Sequence, residues 1–162
     1  MSSFSRFNIH QIAPDEIALM EAMLAMYGKA FGEVETYGNN RPSADYFKRL
    51  LERDYFIALV ALVDSKVVGG LAAYELIKFE QERSEIYIYD LAVAATHRRE
   101  GIATALIQQL QQIAARRGAY AIFVQADIGD EAAIALYTKL GIREEVLHFD
   151  ILVDEGDKNA GN

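Results

Sequence analysis

The segment from Asp90 to Leu106, DLAVAATHRREGIATAL, constrains the fold more than any other part of the chain, because its character changes in the middle. It opens with the apolar residues of a strand, passes through a basic turn containing Gly101, and closes as an alanine-rich helix. The start of a helix leaves backbone N–H groups without partners and carries partial positive charge. The turn between this strand and helix therefore predicts a binding site for an anion.

The order of the other predicted elements indicates a mixed α/β sheet covered by helices. The patterns predict the order β-α-α-β-β-β-α-β-α-β, with Pro14 in the first turn of the first helix and Ser43 as the cap of the second. Residues 32–43 are expected to form a loop, and Gly118 is expected to end the third helix. A strand over residues 143–152, REEVLHFDIL, is expected to complete the sheet.

The length and composition of the chain fit one folded domain. With 162 residues, of which 52% are hydrophobic, we expect a single domain over 1–153, followed by a disordered polar tail over 154–162. The longest apolar run, 56–63, is too short to cross a bilayer, and residues 1–11 lack the apolar centre of a signal peptide. No membrane association and a cytoplasmic location are therefore expected. The absence of cysteine excludes disulfides, thiolate metal sites and a covalent cysteine intermediate.

The charge of the chain disfavours nucleic acid as a partner. The formal net charge is −8, and such a surface repels phosphate backbones. A cationic ligand fits better, because negative clefts concentrate positive substrates, although the same charge also serves solubility. The three histidines, His10, His97 and His148, are isolated and have no spacing that indicates a metal, so no metal is expected.

The residue types in the basic turn suit a pyrophosphate. Gly101 lets the backbone approach a bulky anion, Arg98 and Arg99 add positive charge, and Ala103 and Thr104 keep the first helical turn slim. The glycine patterns of nucleotide-hydrolase phosphate loops and of dinucleotide folds are both absent. Taken alone, the turn is more typical of an ordinary solvated surface turn, so the interpretation as an anion site depends on the rest of the chain.

Two motifs together resemble the GNAT acetyltransferase superfamily. They are Arg98-x-x-Gly101-x-Ala103 and the segment 135–141, ALYTKLG. The resemblance implies a GNAT-like fold that binds acetyl-CoA, with its pyrophosphate on the turn and its pantetheine arm between two splayed parallel strands. Those strands would be YDLAV and IFVQAD. The cofactor-binding residues implied in this way are Leu91, Ala92, Val93, Arg98, Arg99, Glu100, Gly101, Ile102, Ala103, Thr104 and Tyr137.

A closer resemblance extends to segments on the substrate side. Residues 79–93, 129–151 and 30–38 are similar to the aminoglycoside 3-N-acetyltransferases of the gentamicin-resistance type. The resemblance implies direct acetyl transfer to the 3-amino group of an aminoglycoside in a ternary complex, conferring resistance. Two other functions stay open. One is acetylation of another amine, such as a polyamine or a protein N-terminus, and the other is a non-catalytic acyl-CoA-binding module.

Three residues are candidates for the catalytic chemistry. The family pattern places a tyrosine beside the cofactor sulfur, so the resemblance implies that Tyr137 protonates the departing thiolate. Asp90 is a carboxylate in an otherwise apolar and aromatic strand, and it either takes the proton of the ammonium or accepts backbone N–H bonds at a strand irregularity. Glu85 is a second candidate base, with an ion pair to Arg83 as the alternative.

The expected substrate contacts are acidic and aromatic residues, because a polyamine antibiotic needs several carboxylates. Tyr87 and Tyr89 share one face of their strand by two-residue periodicity and line either the core or the acceptor cleft. Exposed tyrosines could contact the substrate or form a homodimer interface. The sequence does not distinguish these two roles. The residues predicted to bind the acceptor are Asp150, Glu33, Glu35, Tyr87 and Tyr89.

Overall fold

A five-stranded mixed sheet organises the first of two compact units, residues 1–127 and 128–162, in a computed structural model that describes residues 6–154. The strands lie in chain order, antiparallel from β1 to β4, and β5 is parallel to β4. The predicted mixed α/β class is thereby confirmed. The strands are β1 (Asn8–Gln11), β2 (Phe56–Val63), β3 (Lys66–Ile77), β4 (Ser84–Val93) and β5 (Ala119–Val124).

The helices follow the sequence signals closely, apart from a short additional helix and the start of the first helix. Ser43 caps its helix by accepting a hydrogen bond from the Tyr46 amide, and Gly118 ends α4 in a left-handed conformation, both as predicted. A short helix, α2, lies within the predicted loop over 32–43. The helices of the first unit are α1 (Ile17–Ala30), α2 (Val34–Gly38), α3 (Ala44–Leu51) and α4 (Ile102–Arg117), and a 3-10 turn covers Ala95–His97.

The predicted start of α1 at Pro14 is wrong by one turn. The Glu16 carboxylate accepts a hydrogen bond from the Ala13 amide at 2.8 Å and lies 2.7 Å from the His10 ring nitrogen. These contacts hold residues 13–16 in a turn, and the helix begins at Ile17. The backbone bond to Ala13 and the contact with His10 also hold the pKa of Glu16 below its ordinary value.

Two adjacent glycines in β3 allow helices to pack closely on both faces of the sheet. A Cβ atom at Gly69 would lie 2.7 Å from Cγ2 of Ile102, the first residue of α4. A Cβ atom at Gly70 would lie 2.7 Å from Cγ of Met23 in α1. Because neighbouring strand residues face opposite sides of a sheet, α4 covers one face at this point and α1 covers the other.

The parallel strands β4 and β5 part halfway along β4. Their pairing runs from Ser84 opposite Ala119 to Ile88 opposite Val124 and ends there. The rest of β4, residues 89–93, stays paired with β3 but has no strand on its other edge among the described residues. This separation is the one expected for splayed central parallel strands.

The second unit contains one helix, α5 (Glu131–Leu140), within the part of the chain that is described. Asp130 caps it by accepting a hydrogen bond from the Ala133 amide at 3.2 Å, and it ends at Gly141. Residues 143–152, over which the final strand was predicted, show no regular secondary structure within the second unit. Of the predicted tail 154–162, all but Asp154 lies outside the described residues, and the single domain over 1–153 stays a prediction.

Across residues 6–154, no helix is both long enough and apolar enough to cross a membrane.

We predict that Gly69→Ala destabilises the protein by about 1–3 kcal/mol, the usual range for overpacking a tight core contact. The new methyl group would meet the stiff, branched side chain of Ile102, which is 1% exposed. Urea denaturation measures the loss. Gly38→Ala is the matched control, because a Cβ atom there meets nothing within 4 Å and Gly38 has no left-handed backbone. Equal stability of the two variants would contradict the close approach of α4 to β3.

Candidate active site

A β-bulge in β4 turns the side chain of Asp90 away from the face that its position in the sequence would give it. Ile88 is paired with Ala73, but Asp90 is paired with Ala72, so Tyr89 is the extra residue. Cross-strand partners share a face, and consecutive residues of β3 face opposite sides. Asp90 therefore leaves the buried face of Ile88 and joins the face that α1 covers.

The Asp90 carboxyl group is half-buried without a compensating partner. Among the described residues it accepts no hydrogen bond and forms no ion pair, and burial raises its pKa from 3.8 to about 6. Of the two roles that the sequence left open, acceptance of backbone N–H bonds at a strand irregularity is not the one seen, although the irregularity itself is present. The pKa of this carboxyl group lies close to neutrality, in the range that suits a general base.

Four tyrosines, Tyr37, Tyr74, Tyr87 and Tyr89, surround Asp90 and are named the tyrosine cluster here. Burial raises the pKa of Tyr37, Tyr74 and Tyr87, and the Asp90 charge raises it further in each case. The ring of Tyr89 lies 5.9 Å from that of Tyr74 and 6.0 Å from that of Tyr87, edge to face in both pairs. The cluster therefore presents aromatic faces and neutral hydroxyl groups around one carboxylate.

Neighbouring rings hold the tyrosine cluster on two sides. Phe123 of β5 stacks on Tyr87 with the centroids 4.7 Å apart, and the Tyr87 hydroxyl donates to the Gln125 side chain at 3.0 Å. On the helical side, Tyr37 contacts Phe31 and Tyr27 at centroid distances of 5.7 and 6.2 Å. The Tyr27 hydroxyl also donates to the backbone carbonyl of Asp90 at 3.4 Å, which ties α1 to the bulge.

The basic turn has the backbone geometry of an anion site. Arg99 and Gly101 both adopt left-handed conformations, with φ of 64° and 83°, and α4 begins at the next residue, Ile102. The side chains of Arg98 and Arg99 are exposed, as is Glu100. A Cβ atom at Gly101 would meet nothing within 4 Å, so glycine is needed here for the backbone conformation rather than for lack of space.

The segment of β4 between the bulge and the turn consists of Leu91, Ala92 and Val93, all half-buried. These residues pair with Leu71, Gly70 and Gly69 of β3 on one edge only. A strand with one open edge presents N–H and C=O groups that an extended molecule can use. In the first unit, the predicted cofactor residues from Leu91 to Thr104 thus form one continuous stretch: open strand edge, turn and helix start.

Glu85 lies apart from Asp90 in the same strand. They are five positions apart, which is about 16 Å in an extended strand. The Glu85 carboxylate accepts a hydrogen bond from the Tyr120 hydroxyl at 2.9 Å and lies 3.5 Å from Lys78 Nζ. Its partner is therefore Lys78 rather than Arg83, whose guanidinium stacks on Tyr120 at 3.8 Å. Glu85 and Asp90 are not placed to act on the same proton.

The predicted acidic substrate contacts of the first unit lie around α2. Glu33 precedes this helix and Glu35 is in its first turn, and both side chains are exposed. The charge of Glu33 contributes to the raised pKa of Tyr37, which places the carboxylate within electrostatic reach of the tyrosine cluster.

Two other predicted site residues belong to the second unit. Tyr137 lies in α5 and is half-buried, and burial, helped by the Asp130 charge, raises its pKa to about 12. A phenol with this pKa stays protonated at neutral pH and can donate a proton. Asp150 is exposed, and its carboxylate lies 2.9 Å from the His148 ring nitrogen.

Tyr37 and Tyr74 are the site residues that sequence reasoning missed. They lie far apart in the chain, in α2 and β3. Tyr37 falls within the segment 30–38 that carries the closer resemblance, whereas no motif contains Tyr74. The available signal was that Tyr74 belongs to a strand paired with the strand of Tyr87. Among the described residues, no group of three His, Cys, Asp or Glu side chains is arranged to hold a metal ion.

Comparison with known families and structures gives a consistent result. Residues 19–142 match the Acetyltransferase (GNAT) family. An uncharacterised N-acetyltransferase of Methanocaldococcus jannaschii is 28% identical over 142 residues, which is 86% of this chain and 62% of that protein. The chain therefore spans less than two thirds of the length of this relative.

Two solved structures are similar to almost the whole chain. The aminoglycoside acetyltransferase HMB0005, from an uncultured soil metagenomic sample, is 66% identical, with a TM-score of 0.90 over 95% of this chain and 100% of that one. The aminoglycoside acetyltransferase meta-AAC0020, also from an uncultured soil sample, is 29% identical, with a TM-score of 0.84 over 91% of this chain and 97% of that one. The latter was crystallised with sisomicin and, separately, with trehalose.

We predict that Asp90→Asn raises the melting temperature at pH 8, by about 2–4 °C for each kcal/mol recovered. The pKa of about 6 in the folded protein lies above the ordinary 3.8, so folding opposes ionisation of Asp90. This penalty grows as the pH rises from about 4 to about 6, is complete above that range, and is absent in the amide variant. The gain should therefore vanish at about pH 4, as calorimetry at both pH values can check.

Asp127→Asn serves as the control, since that carboxylate is exposed. Its melting temperature should match the wild type at both pH values. A gain for Asp90→Asn that is the same at pH 4 and pH 8 would contradict the burial of an ionised Asp90.

Proposed function

The chain belongs to the Acetyltransferase (GNAT) family, and we propose that it acetylates an aminoglycoside at the 3-amino position and thereby confers resistance. Acetyltransferases of this family use acetyl-CoA. The observation that carries the proposal is the half-buried Asp90, with a pKa of about 6, inside the tyrosine cluster and one residue before the open edge of β4. The likeness to two aminoglycoside acetyltransferases supports the choice of acceptor.

The stretch from Leu91 to Thr104 fits the shape and charge of coenzyme A. The amides at the start of α4 and the exposed Arg98 and Arg99 suit the pyrophosphate, because a helix N-terminus and two guanidinium groups all favour an anion. The open edge of Leu91 to Val93 suits the amide-containing pantetheine arm, which can pair as an added strand would. Acetyl-CoA supplies the thioester whose acyl group is transferred.

Asp90 is proposed to act as the general base. An amine attacks only as the neutral molecule, so its ammonium form must lose a proton before or during the formation of the C–N bond. At pH 7 to 8 a carboxyl group with a pKa of about 6 is mostly ionised and can accept this proton, directly or through water. Partial burial makes it a better base than an ordinary aspartate.

The proposed reaction balances with one bond formed and one broken. The amine nitrogen bonds to the acyl carbon, the C–S bond breaks, and the sulfur leaves as a thiolate that takes up a proton. Tyr137, with a pKa of about 12, is the proposed donor, since its phenol remains protonated at neutral pH. The chain contains no cysteine, so direct transfer in a ternary complex is the proposed route rather than an acyl-cysteine intermediate.

The chemistry around Asp90 favours a cationic sugar as acceptor. Aromatic faces attract ammonium groups and pack against the apolar faces of sugar rings. The tyrosine cluster supplies such faces, and Glu33 lies within electrostatic reach of it. Glu35 and Asp150 are proposed as further carboxylates for the ammonium groups of the antibiotic, in keeping with the net charge of −8.

We predict that Gly101→Ala weakens coenzyme A binding about tenfold, since an L-residue resists the left-handed conformation that shapes the turn. Gly118→Ala is the matched control: Gly118 ends the same helix with φ of 73°, against 83° at Gly101, and neither has a neighbour within 4 Å. The two sites are about 24 Å apart along α4. Both variants should lose similar stability, but only Gly101→Ala should lose affinity in calorimetric titration.

The assay that tests the function uses the purified chain, acetyl-CoA and a panel of amines, with thiol release followed continuously. We expect turnover with aminoglycosides, and NMR of the product should place the acetyl group on the 3-amino nitrogen. Expression in a susceptible bacterium should raise the inhibitory concentration of the same antibiotics. Turnover only with a polyamine or a peptide N-terminus would replace the proposed acceptor, and binding of coenzyme A without any turnover would indicate a non-catalytic module.

Asp90→Asn tests the base in the same assay. At pH 8 we expect kcat/KM to fall about 100-fold, the range for loss of a general base. In the wild type, kcat/KM should decline as the pH falls through about 6, because protonated Asp90 accepts no proton, whereas the variant should lack this decline. An unchanged decline in the variant would assign the titration to another group.

A further inference from the structure

The bulge in β4 places two carboxylates of that strand on one face of the sheet. Glu85 and Asp90 are five positions apart, and an odd separation in a regular strand puts side chains on opposite faces. With Tyr89 as the extra residue, Asp90 is paired with Ala72 of β3. Glu85 is paired with Leu76, four positions further along β3. Because cross-strand partners share a face, both carboxylates lie on the side where α1 packs, about 13 Å apart along β3.

Aromatic side chains lie between these two carboxylates. Tyr87 is paired with Tyr74, which stands midway between Ala72 and Leu76 in β3. Phe123 of β5 stacks on Tyr87, with the centroids 4.7 Å apart and the ring planes 9° apart. The face thus runs from one carboxylate, across an apolar aromatic surface, to a second carboxylate. Such a surface suits a ligand with ammonium groups at both ends and a ring-shaped body between them.

The Glu85 carboxylate already holds an ammonium group, that of Lys78. Oε1 of Glu85 lies 3.5 Å from Lys78 Nζ, and Oε2 accepts a hydrogen bond from the Tyr120 hydroxyl at 2.9 Å. The Arg83 guanidinium covers the Tyr120 ring at 3.8 Å, which holds that ring in place. Lys78 Nζ is closer to Glu80, at 3.0 Å. Lys78 can therefore keep its pair with Glu80 while another ammonium group takes its place at Glu85.

We propose that Glu85 binds a second ammonium group of the acceptor, on a different ring from the amine whose proton passes to Asp90. This inference rests on the proposed function, because it takes the acceptor to be an aminoglycoside. A single sugar ring is too short to reach both carboxylates, so the pair selects acceptors with amino groups on separate rings. Lys78 occupies the second position in the free protein and yields it to the acceptor. Glu85 is thus a specificity-determining residue rather than a base.

The first test is the steady-state kinetics of Glu85→Gln with sisomicin, an aminoglycoside with amino groups on separate rings. The KM for sisomicin should rise about tenfold, because a charge-assisted bond is lost. The kcat should stay nearly unchanged, because the reacting amine lies at Asp90. The amide can still accept the Tyr120 hydrogen bond, and an unchanged KM for acetyl-CoA would exclude misfolding as the cause.

Glu82→Gln is the matched control, because it removes the same charge from an exposed position in the loop between β3 and β4. Its KM for sisomicin should stay within about twofold of the wild type. The single ring 2-deoxystreptamine should inhibit sisomicin acetylation equally in the wild type and in Glu85→Gln, since it does not reach Glu85. Weaker inhibition of the variant would place Glu85 at the reacting ring and overturn the proposal.

Lys78→Met tests the displacement of Lys78 and predicts an effect of opposite sign. Removal of the competing ammonium group should lower the KM for sisomicin about threefold. In the double variant with Glu85→Gln, Lys78→Met should have no further effect, because the competition takes place at Glu85. A change of the same size in both backgrounds would show that Lys78 acts through the overall charge and would overturn the proposal.

The outcomes separate this inference from the proposed function. A wild type that acetylates sisomicin, with an unchanged KM in Glu85→Gln or an equal rise in Glu82→Gln, would overturn the second ammonium site alone. A fall in kcat at unchanged KM would return Glu85 to a role in the chemical step. A wild type that neither binds sisomicin in calorimetric titration nor acetylates it would overturn the proposed acceptor and the second ammonium site together.

Discussion

The close approach of two helices to β3 is the constraint on which the rest of the first unit depends. Gly69 and Gly70 leave room for Ile102 on one face of the sheet and for Met23 on the other. The first contact fixes where α4 begins, and hence where its free amides and the basic turn lie. The second brings α1 against the sheet, where the Tyr27 hydroxyl reaches the backbone of Asp90. The proposed cofactor and acceptor sites are thus positioned from adjacent residues of one strand.

The bulge at Tyr89 places the Asp90 carboxyl group in a partly buried position, which lowers the stability of the fold. It turns Asp90 to the α1 face, where burial raises its pKa to about 6 and where no described residue offers a compensating bond. A carboxylate kept in this way opposes folding at neutral pH, but it is also more basic than one in water. A loss of stability at this residue is consistent with the proposed role of Asp90 as a general base, because that role needs a pKa near neutrality.

Aromatic side chains and acidic side chains have different parts in the proposed recognition of the acceptor. The tyrosine cluster provides apolar faces and neutral hydroxyl groups, while Asp90 and the nearby Glu33 provide negative charge. Charge alone would attract any amine, including a polyamine. Aromatic faces around a single carboxylate add a preference for a rigid ring that carries an ammonium group. The two features together are more selective than either feature alone.

Features that depend on neighbouring residues could be predicted from the pattern of residues alone: the cap at Ser43, the left-handed end at Gly118 and the basic turn. The mixed α/β class followed from the order of the predicted elements. The face of the sheet on which Asp90 lies could not be predicted in this way, since a bulge is defined only relative to the register of the partner strand. The tertiary structure likewise brought Tyr37 and Tyr74, which lie far apart in the chain, close to the same carboxylate, that of Asp90. Caps and turns depend on hydrogen bonds between residues that are close in the chain. Strand pairing, its register and the face on which a side chain lies depend on a second segment, which the sequence pattern alone does not identify.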